Sequence, residues 1–525
     1  MNILKLLFSS PPAPLSYMKL GPDGSQDNPL MIQFFTWDAE STTTSWWKHF
    51  EDEIPTLAEL GFTQVWLPPP NKAAHPKGRG YDAYDLASRY DPSLIFWDLG
   101  EFEQKGTTAT RWGSKEELLS ACRVATEHRI DIIIDAVLNH KLGADGVEKL
   151  KVVSVDPQNR LKELERQEIE GWTIFNFPGR GNKYSALHWS QEHFTGLDWD
   201  QSTQTQGVFK IVGKGHKGWS KNVDRELGNY DYLLGVDIDH RHPEVQNDFF
   251  AWGPWVLETT GAVGFRLDAI KHIDRKFTLR FVRQVRMIAT NSRMFSVAEY
   301  WSGNINAVLP YTRAFKGETA FFDVPLHMNF HHASQHYSRY DLRNIMNDSL
   351  VKNKPGHAVT FVDNHDTVEG QSLESWVGDH FKIQAYALIL LRGTGYPCVF
   401  YGDLYPNSEC YNENIARNLK LLIKARKLYA YGGTQDYLSS KNCIGFVRLG
   451  DSRHSGCAVI LSNREDSFDT SNSDFVHSIR MNVGRSHAGS TFQSYLTTDG
   501  RVEIDAEGWG EFTCFAGSAQ VWVKL

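Results

Sequence analysis

The sequence is poor in cysteine and contains no long apolar run. Its six cysteines in 525 residues are scattered and form no CxxC pair, so neither a cysteine-based zinc site nor a disulfide framework is indicated. The apolar run at residues 3–8 is too short for the core of a secretory signal, and no later run is long enough to span a bilayer. We therefore expect a cytoplasmic protein that does not interact with membranes.

An excess of positive charge is also absent. The formal net charge is −8, from 55 basic and 63 acidic side chains. Because binding to phosphates requires a concentrated basic face, no nucleic-acid partner is expected. The chain is too long for one ordinary domain. We expect a monomer with one large core domain and one or two smaller domains.

Between residues 31 and 400, short β-rich apolar runs alternate with polar loops and amphipathic helical stretches, such as those at 115–128 and 275–290. This alternation indicates an α/β protein, and eight such units predict a closed (β/α)8 TIM barrel. An open doubly wound sheet is the alternative, but no GxGxxG follows the first run. The predicted strands are 31–35, 64–67, 131–136, 263–267, 294–298, 321–323, 359–362 and 398–401.

Two stretches interrupt this pattern. The segment that follows the third strand is far too long for one crossover and is rich in Gly, Trp, Asn and Asp, so it predicts an inserted subdomain. Near the end of the chain, apolar runs separated by turn residues predict a C-terminal antiparallel β-sandwich domain. The predicted domains are 1–139 and 240–428 for the two parts of the barrel, 140–239 for the insertion, and 429–525 for the β domain.

Acidic residues stand at the ends of four predicted strands. These residues are Asp135, Asp268, Glu299 and Asp366. Barrel enzymes place their catalytic groups where strands end and loops begin. A single acidic residue in such a place is more often a helix cap or a turn former. Four of them on one rim of a barrel are much better explained by a shared chemical role.

Paired carboxyl groups at one rim suggest glycoside hydrolysis. One carboxylate must be ionised to attack the anomeric carbon, and the other must be protonated to donate to the leaving oxygen. Arg266 lies two residues before Asp268 on the same strand, so it shares the same face and would hold Asp268 ionised. Glu299 has apolar neighbours in the sequence, which favour its protonated form. This pattern predicts Asp268 as the nucleophile and Glu299 as the acid.

Four ordered segments, 135–140, 264–272, 297–301 and 361–366, resemble the motifs of the α-amylase family, glycoside hydrolase family 13. The likeness covers nearly the whole chain and is greatest to the bacterial liquefying and the fungal intracellular α-amylases. The resemblance implies retaining endo-hydrolysis of α-1,4 bonds in starch- or glycogen-like glucans. It implies that Asp268 is the nucleophile, Glu299 the general acid/base and Asp366 the carboxylate that stabilises the transition state. It also implies substrate contacts from Tyr81, Asp135, His140, Arg266, Lys271, Trp301 and His365.

One structural Ca²⁺ ion between the barrel and the insertion is a further implication of the resemblance. Its ligands would be the side chains of Asn139, Asp231 and Asp237 and the main-chain carbonyl of His272. These hard oxygen donors suit Ca²⁺ and not zinc. The alternative is that the residues around Asp231 and Asp237 only form turns in a polar loop and bind no metal.

The chain departs from the pattern of its relatives at two places. Where relatives have a second metal cluster, Ser220 and Arg241 replace two aspartates, although Asp200 and Asp239 remain, so only one calcium ion is expected. An additional loop at residues 87–99 lies near the expected cleft. Its aromatic residues Tyr90, Phe96 and Trp97 could contact sugar or simply anchor the loop.

Two other functions are compatible with these motifs. A 4-α-glucanotransferase would use the same covalent intermediate and pass the sugar to a sugar hydroxyl in place of water. A non-catalytic glucan-binding protein on the same fold is the third alternative. Such a protein would be expected to have lost at least one of the three catalytic carboxylates, and all three are present.

Overall fold

The computed structural model describes residues 13–22, 28–41, 43–85, 98–181, 187–288, 292–464, 476–497 and 500–525. The apolar run at 3–8, the end of the helix predicted at 275–290 and most of the loop predicted at 87–99, with its three aromatic residues, lie outside the described residues. The described α-helices are α1 (Trp46–Leu60), α2 (Lys115–Glu127), α3 (Pro243–Thr260), α4 (Arg275–Ile288), α5 (Ile305–Ala314), α6 (Val324–His336), α7 (Leu350–Asn353), α8 (Asp379–Leu391), α9 (Tyr401–Leu404) and α10 (Glu413–Tyr429).

The strands fall into three groups along the chain. The barrel strands are β1 (Met31–Gln33), β2 (Gln64–Trp66), β3 (Asp131–Ala136), β10 (Gly264–Leu267), β11 (Phe295–Ala298), β12 (Ala320–Phe322), β13 (Ala358–Phe361) and β14 (Tyr396–Phe400). The inserted strands are β4 (His140–Lys141), β5 (Gly146–Asp156), β6 (Asn159–Ile174), β7 (Phe194–Asp200), β8 (Thr205–Ile211) and β9 (Val236–Ile238). The C-terminal strands are β15 (Thr434–Tyr437), β16 (Cys443–Arg448), β17 (Cys457–Ser462), β18 (Val476–Asn482), β19 (Thr491–Ser494), β20 (Arg501–Glu503), β21 (Trp509–Phe515) and β22 (Ala519–Lys524).

The predicted barrel is confirmed. Eight parallel strands close in the order β1-β14-β13-β12-β11-β10-β3-β2, and each coincides with a predicted strand. The register sets Arg266 of β10 beside Asp135 of β3 on one side and Val297 of β11 on the other. Because all eight strands run in the same direction, their carboxyl ends meet at one rim. Asp135 near the end of β3 and the acidic residues that follow β10, β11 and β13 are thereby gathered at that rim.

Local signals in the sequence determine where the outer helices begin and end. Helix α2 begins with a capping box, in which Ser114 and Glu117 each accept a hydrogen bond from the other's backbone N–H. Helix α1 ends at Gly61, whose φ of 103° is a left-handed conformation that glycine adopts without strain. The buried face of α1, which includes Trp47 and Phe50, packs into the main core.

The insertion forms a six-stranded sheet in the order β4-β9-β7-β8-β5-β6, with antiparallel pairing throughout. Its first and last strands lie side by side, with His140 of β4 opposite Asp237 of β9. The insertion therefore leaves the barrel and returns to it at the same place, beside the catalytic rim.

The C-terminal strands form the predicted antiparallel β domain, with one sheet in the order β15-β16-β17-β22-β19-β20 and a second sheet of β18 and β21. A hydrophobic core separate from that of the barrel lies within it and includes Phe492, Phe512 and Trp522. Within the described part of the chain, no helix combines the length and apolarity needed to cross a membrane. The domain limits 1–139, 140–239, 240–428 and 429–525 stay a prediction.

Candidate active site

The guanidinium group of Arg266 lies at the centre of the rim and contacts three carboxylates. Its Nη1 donates to Asp135 Oδ1 at 2.8 Å and to Asp268 Oδ1 at 2.6 Å, and its Nη2 donates to Glu299 Oε2 at 2.6 Å. Arg266 is completely buried. A buried charge is tolerated only when it is paired, so these contacts fix the positions of all three carboxylates relative to one another.

The expected contact between Arg266 and Asp268 is present, and burial raises the pKa of Glu299, as expected, although Glu299 also makes polar contacts that the sequence did not predict. Glu299 accepts hydrogen bonds from Arg266 and from the backbone N–H of Ala269 at 3.1 Å. Ala269 adopts a left-handed φ of 47°, a conformation that costs free energy for a non-glycine residue and brings its N–H to Glu299. Sequence neighbours alone gave no sign of these polar contacts, because they come from an adjacent strand and the loop after it.

Burial controls the charge state of the carboxyl groups. It raises the pKa of Asp268 to about 6, against the opposing effect of Arg266. Burial also raises the pKa of Glu299 and of Asp366, and the like charges of neighbouring carboxylates add to the effect. The carboxyl groups of Asp268 and Glu299 also affect the pKa of each other. One guanidinium cannot neutralise all these acids, so their mutual repulsion favours the retention of a proton within the group.

Flat rings form one wall of the site. The rings of Tyr81 and His365 are stacked at 5.1 Å and 10°, and Trp37 is nearly parallel to both. The hydroxyl of Tyr81 donates to Asp135 Oδ2 at 2.8 Å, and the amide of Gln33 donates to Nδ1 of His365 at 3.0 Å. These two hydrogen bonds hold the rings in place. A wall of this kind suits the apolar face of a sugar ring.

The remaining predicted contact residues also reach this site. His140 contacts the carbonyl of Tyr81 through Nε2 at 2.8 Å. The ammonium group of Lys271 donates to the carbonyl of Trp301 at 3.2 Å and forms an ion pair with Glu226. Five of the seven predicted contact residues line one cavity of about 440 Å³ together with the three proposed catalytic acids. The other two, Asp135 and Arg266, are completely buried and do not line it.

Several residues of this cavity were missed by the sequence analysis. Trp37, Glu226 and Leu234 line it, and Gln33 supports it from β1 through His365. Trp37 and Gln33 lie at the end of the first predicted strand, which is a detectable signal because barrel sites draw on all strand ends. Glu226 lies in the insertion and carried no signal.

The residues predicted to bind calcium meet at the junction of the insertion and the barrel. Asn139 Oδ1 and Asp237 Oδ1 are buried and have no hydrogen-bond partner among the described residues. Burial raises the pKa of Asp231 to about 8, and burial together with Asp231 raises the pKa of Asp237 strongly. The His272 ring contacts the carbonyl of Tyr230 at 2.7 Å, next to Asp231. Two buried oxygens without partners among the described residues, one of them a carboxylate oxygen, next to the second buried acid Asp231, fit a hard cation.

The region that corresponds to the second metal cluster of relatives is organised around Arg241. Arg241 donates through Nε to Asp239 Oδ1 at 2.6 Å and through its other nitrogens to the carbonyls of Gly218 and Trp219. Asp200 instead accepts hydrogen bonds from its own turn, including Ser202 Oγ at 2.7 Å. The guanidinium of Arg241 thus binds the oxygens of Gly218, Trp219 and Asp239, the last of which a second metal cluster would need. The single calcium ion stays a prediction.

Comparison with known proteins agrees with this geometry. The family model for the α-amylase catalytic domain matches residues 38–418. The glucan 1,4-alpha-maltohexaosidase of Bacillus sp. (strain 707) is 41% identical over 502 residues, which cover 95% of this chain and 92% of that protein. The cytoplasmic alpha-amylase of Escherichia coli (strain K12) is 38% identical over 510 residues, which cover 94% of this chain and 99% of that protein.

Solved structures extend the likeness to the fold. The α-amylase of Geobacillus thermoleovorans, solved with acarbose, aligns with a TM-score of 0.60 at 17% identity and covers 95% of this chain and 98% of its own. At that identity the likeness concerns the fold alone, whereas the family model and the relatives near 40% identity concern the family. The resemblance noted in the sequence is thus confirmed, and the chain belongs to the α-amylase family of glycoside hydrolases.

Proposed function

We propose that this enzyme hydrolyses internal α-1,4 bonds of starch- or glycogen-like glucans with retention of configuration. The observation that carries this proposal is that one guanidinium, that of Arg266, donates hydrogen bonds to both Asp268 and Glu299, which holds the two carboxyl groups close together. Retaining glycosidases place their two carboxyl groups closer together than inverting ones, which need room for a water between them. The names of the relatives, an α-amylase and a maltohexaosidase, support the same activity.

In the first step, the ionised Asp268 attacks the anomeric carbon while Glu299 donates its proton to the leaving glycosidic oxygen. A covalent glycosyl-enzyme forms, and the shortened glucan with its new hydroxyl leaves. In the second step, the ionised Glu299 takes a proton from a water molecule, which attacks the same carbon and releases Asp268. Because Arg266 contacts both acids, its fixed positive charge stabilises the ionised form of Asp268 before the first step and the ionised form of Glu299 before the second.

Asp366 and the rings complete the site for the sugar that reacts. Asp366 lines the same cavity as Asp268 and Glu299, and its negative charge would stabilise the positively charged transition state. Tyr81 and His365 would pack against the sugar ring, with His140 beside them. Lys271 and Trp301 would contact the departing part of the glucan. Each assignment can be tested by substituting that residue and measuring kcat and KM.

The shape of the surface supports cleavage within long chains. A second cavity of about 660 Å³ shares Trp37, Tyr81 and Leu234 with the catalytic cavity. A third cavity, of about 360 Å³, shares Leu142 with the second. Consecutive cavities of this kind can hold several glucose units on one side of the reacting bond, as an endo-acting enzyme requires.

Two exposed tryptophans stand at the far end of this groove. Trp172 and Trp199 are 40% and 37% exposed and line the third cavity. Both indole N–H groups donate to Gln201 Oε1, at 3.1 and 3.0 Å, which holds the two rings in a fixed arrangement. Large apolar rings that stay exposed in a groove mark a ligand surface. We therefore propose that a distant glucose unit stacks here.

Substitution of Trp172 tests this groove. Trp172→Ala should raise KM for maltoheptaose and amylose about three- to tenfold, since an aromatic contact contributes about 0.5–1.5 kcal/mol. Trp172→Phe keeps a ring and should change KM less. Maltotriose, which is too short to span the three cavities, should be hydrolysed equally by all three proteins. An unchanged KM for amylose in Trp172→Ala would show that no glucose unit binds there.

We also propose that one Ca²⁺ ion is bound by the side chains of Asn139, Asp231 and Asp237 and the carbonyl of His272. The ion would neutralise two buried acids and hold the insertion against the barrel. The cytoplasmic location of the E. coli relative supports a cytoplasmic location here. Cell fractionation tests the location, and light scattering tests the proposal that the protein is a monomer.

Incubation with pure maltoheptaose distinguishes hydrolysis from glucanotransfer. A rise in reducing ends with only shorter products is expected for the hydrolase. Longer products at a constant number of reducing ends would instead identify a glucanotransferase. Proton NMR of the first products should show the α-anomer before mutarotation. Early appearance of the β-anomer would refute the retaining mechanism.

A further inference from the structure

Three potential metal ligands meet at a second place on the junction between the insertion and the barrel. They are His193, in the turn that leads into β7, and His242 and Glu244, at the start of α3. One ligand atom of each lies within 4.8 Å of those of the other two. Nε2 of His193 is 3.2 Å from Glu244 Oε2, and the two imidazole rings pack edge to face at 4.6 Å.

The surroundings of His193 fix the orientation of its ring. The side chain is buried, its Nδ1 accepts a hydrogen bond from the backbone N–H of Ser190 at 3.1 Å, and the carbonyl oxygen of the same residue lies 3.3 Å from Nδ1. Nε2 then carries the proton and points at Glu244 Oε2, so a metal ion at Nε2 would displace this proton to Nδ1, where the Ser190 carbonyl can accept it. Metal-binding histidines commonly donate their second ring N–H to a backbone carbonyl in this way.

His242 offers a second ring nitrogen to a metal ion. Its Nδ1 is buried and has no hydrogen-bond partner among the described residues. An unpaired buried nitrogen costs free energy, which a ligand would recover.

We propose that His193, His242 and Glu244 form a binding site for a zinc-class transition-metal ion, with water as the fourth ligand. Two imidazoles and a carboxylate are donors of the type that zinc selects, unlike the all-oxygen set proposed for calcium. Tetrahedral coordination requires donor atoms about 3.3 Å apart. The side chain of Glu244 is 62% exposed and is free to rotate toward the ion, so the site can close with little movement of the backbone.

An ion at this site would tie the insertion to the barrel. The backbone N–H of Asp239 donates to the carbonyl of His193 at 2.8 Å, and that of His242 donates to Asp239 O at 2.9 Å. The metal would therefore link the segment at His193 to the segment at His242, both of which are hydrogen-bonded to the backbone of Asp239. Asp239 lies two residues from the proposed calcium ligand Asp237. Binding to the folded state alone raises stability by mass action.

Zinc titration of the full-length protein tests the proposal. Protein stripped with a chelator and returned to calcium would be titrated with Zn²⁺ by calorimetry. The wild type should bind one Zn²⁺ with micromolar or tighter affinity, and Zn²⁺ should raise Tm. His242→Gln and Glu244→Gln should each bind at least tenfold more weakly and lose the rise in Tm. Because Glu244 is largely exposed, its variant remains informative if His242→Gln folds poorly.

A matched control comes from α6, where the exposed His332 and His336 rings lie 6.4 Å apart one helical turn from each other. This pair is the competing surface site for zinc, and His336→Gln should leave the binding unchanged. Co²⁺ should give the visible absorption of a tetrahedral complex in the wild type and not in His242→Gln. Equal binding by His242→Gln and the wild type, loss of binding in His336→Gln, or no saturable binding at millimolar Zn²⁺ would each overturn the proposal.

Discussion

Replacement of Asp268 by asparagine separates the chemical role of this carboxylate from its effect on stability. Asparagine has nearly the same shape, and its side-chain oxygen can still accept a hydrogen bond from Arg266. Asp135 and Glu299 continue to pair with the guanidinium, so no unpaired buried charge results. The variant should therefore fold, although it has lost the group that attacks the anomeric carbon.

The expected change in stability follows from the pKa of Asp268. Burial raises it from 3.8 to about 6 in the folded protein. A raised pKa means that the folded state disfavours the ionised form, so ionisation destabilises the protein above pH 6 and has no effect below pH 3.8. The difference corresponds to about 3 kcal/mol above pH 6. Asp268→Asn removes this penalty and should raise the free energy of unfolding by about 1–3 kcal/mol at pH 8, with little change at pH 4.

Two measurements test this reasoning. Urea-induced unfolding, followed by tryptophan fluorescence in calcium at pH 8 and pH 4, measures the stability. Release of reducing ends from maltoheptaose measures activity, which should fall at least about a thousandfold, equivalent to about 4 kcal/mol of transition-state stabilisation. As a control, Asp323 is also buried, and its pKa is also raised to about 6, but it lies away from the catalytic cavity and accepts three backbone hydrogen bonds. Asp323→Asn should keep the activity and lower the stability, because both carboxylate oxygens accept backbone N–H groups and the amide nitrogen of asparagine cannot accept one, a cost that outweighs the relief of the raised pKa.

Either of two results would refute the reasoning. Asp268→Asn with more than about one hundredth of wild-type activity, far above the expected loss, would show that another group is the nucleophile. A loss of stability that is the same at pH 8 and pH 4 would show that the ionised carboxylate does not strain the folded state. In that case the contact with Arg266 would outweigh the effect of burial.

Three further predictions concern the acid, the ring wall and the metal. Glu299→Gln should lower kcat on maltoheptaose at least about a thousandfold but should form the glycosyl-enzyme normally from α-maltosyl fluoride, whose leaving group needs no proton; equal losses on both substrates would contradict its role as the acid. Tyr81→Phe removes the hydrogen bond to the buried Asp135 and should lower Tm and also lower kcat/KM about ten- to a hundredfold, from about 1.5–3 kcal/mol; unchanged kinetics would mean that the hydroxyl does not position the wall. Removal of calcium with EGTA should lower the wild-type Tm, and Asp237→Asn should bind calcium more weakly and respond less to EGTA; the same response in both proteins would place the ion elsewhere.

Much of the barrel could be predicted from the sequence because it depends on local patterns. Each predicted strand lies within two residues of a strand in the structure, since buried parallel strands are short apolar runs between helices and turns. The shared face of Arg266 and Asp268 follows from the two-residue period of a strand, and the hydrogen bond between them confirms it. The contact of Arg266 with Glu299 could not be predicted in this way, because it crosses from one strand to the next.

What the sequence by itself determined was the set of chemical groups at the ends of the barrel strands and the family to which they belong. Only the tertiary structure decided how these groups share one buried guanidinium, how Trp172 and Trp199 extend the groove, and how His193 comes to lie against His242 and Glu244. The physical reason is that alternation and capping act over a few residues. Closure of the barrel and return of the insertion instead bring together residues that are tens to hundreds of positions apart, where no local pattern records the contact.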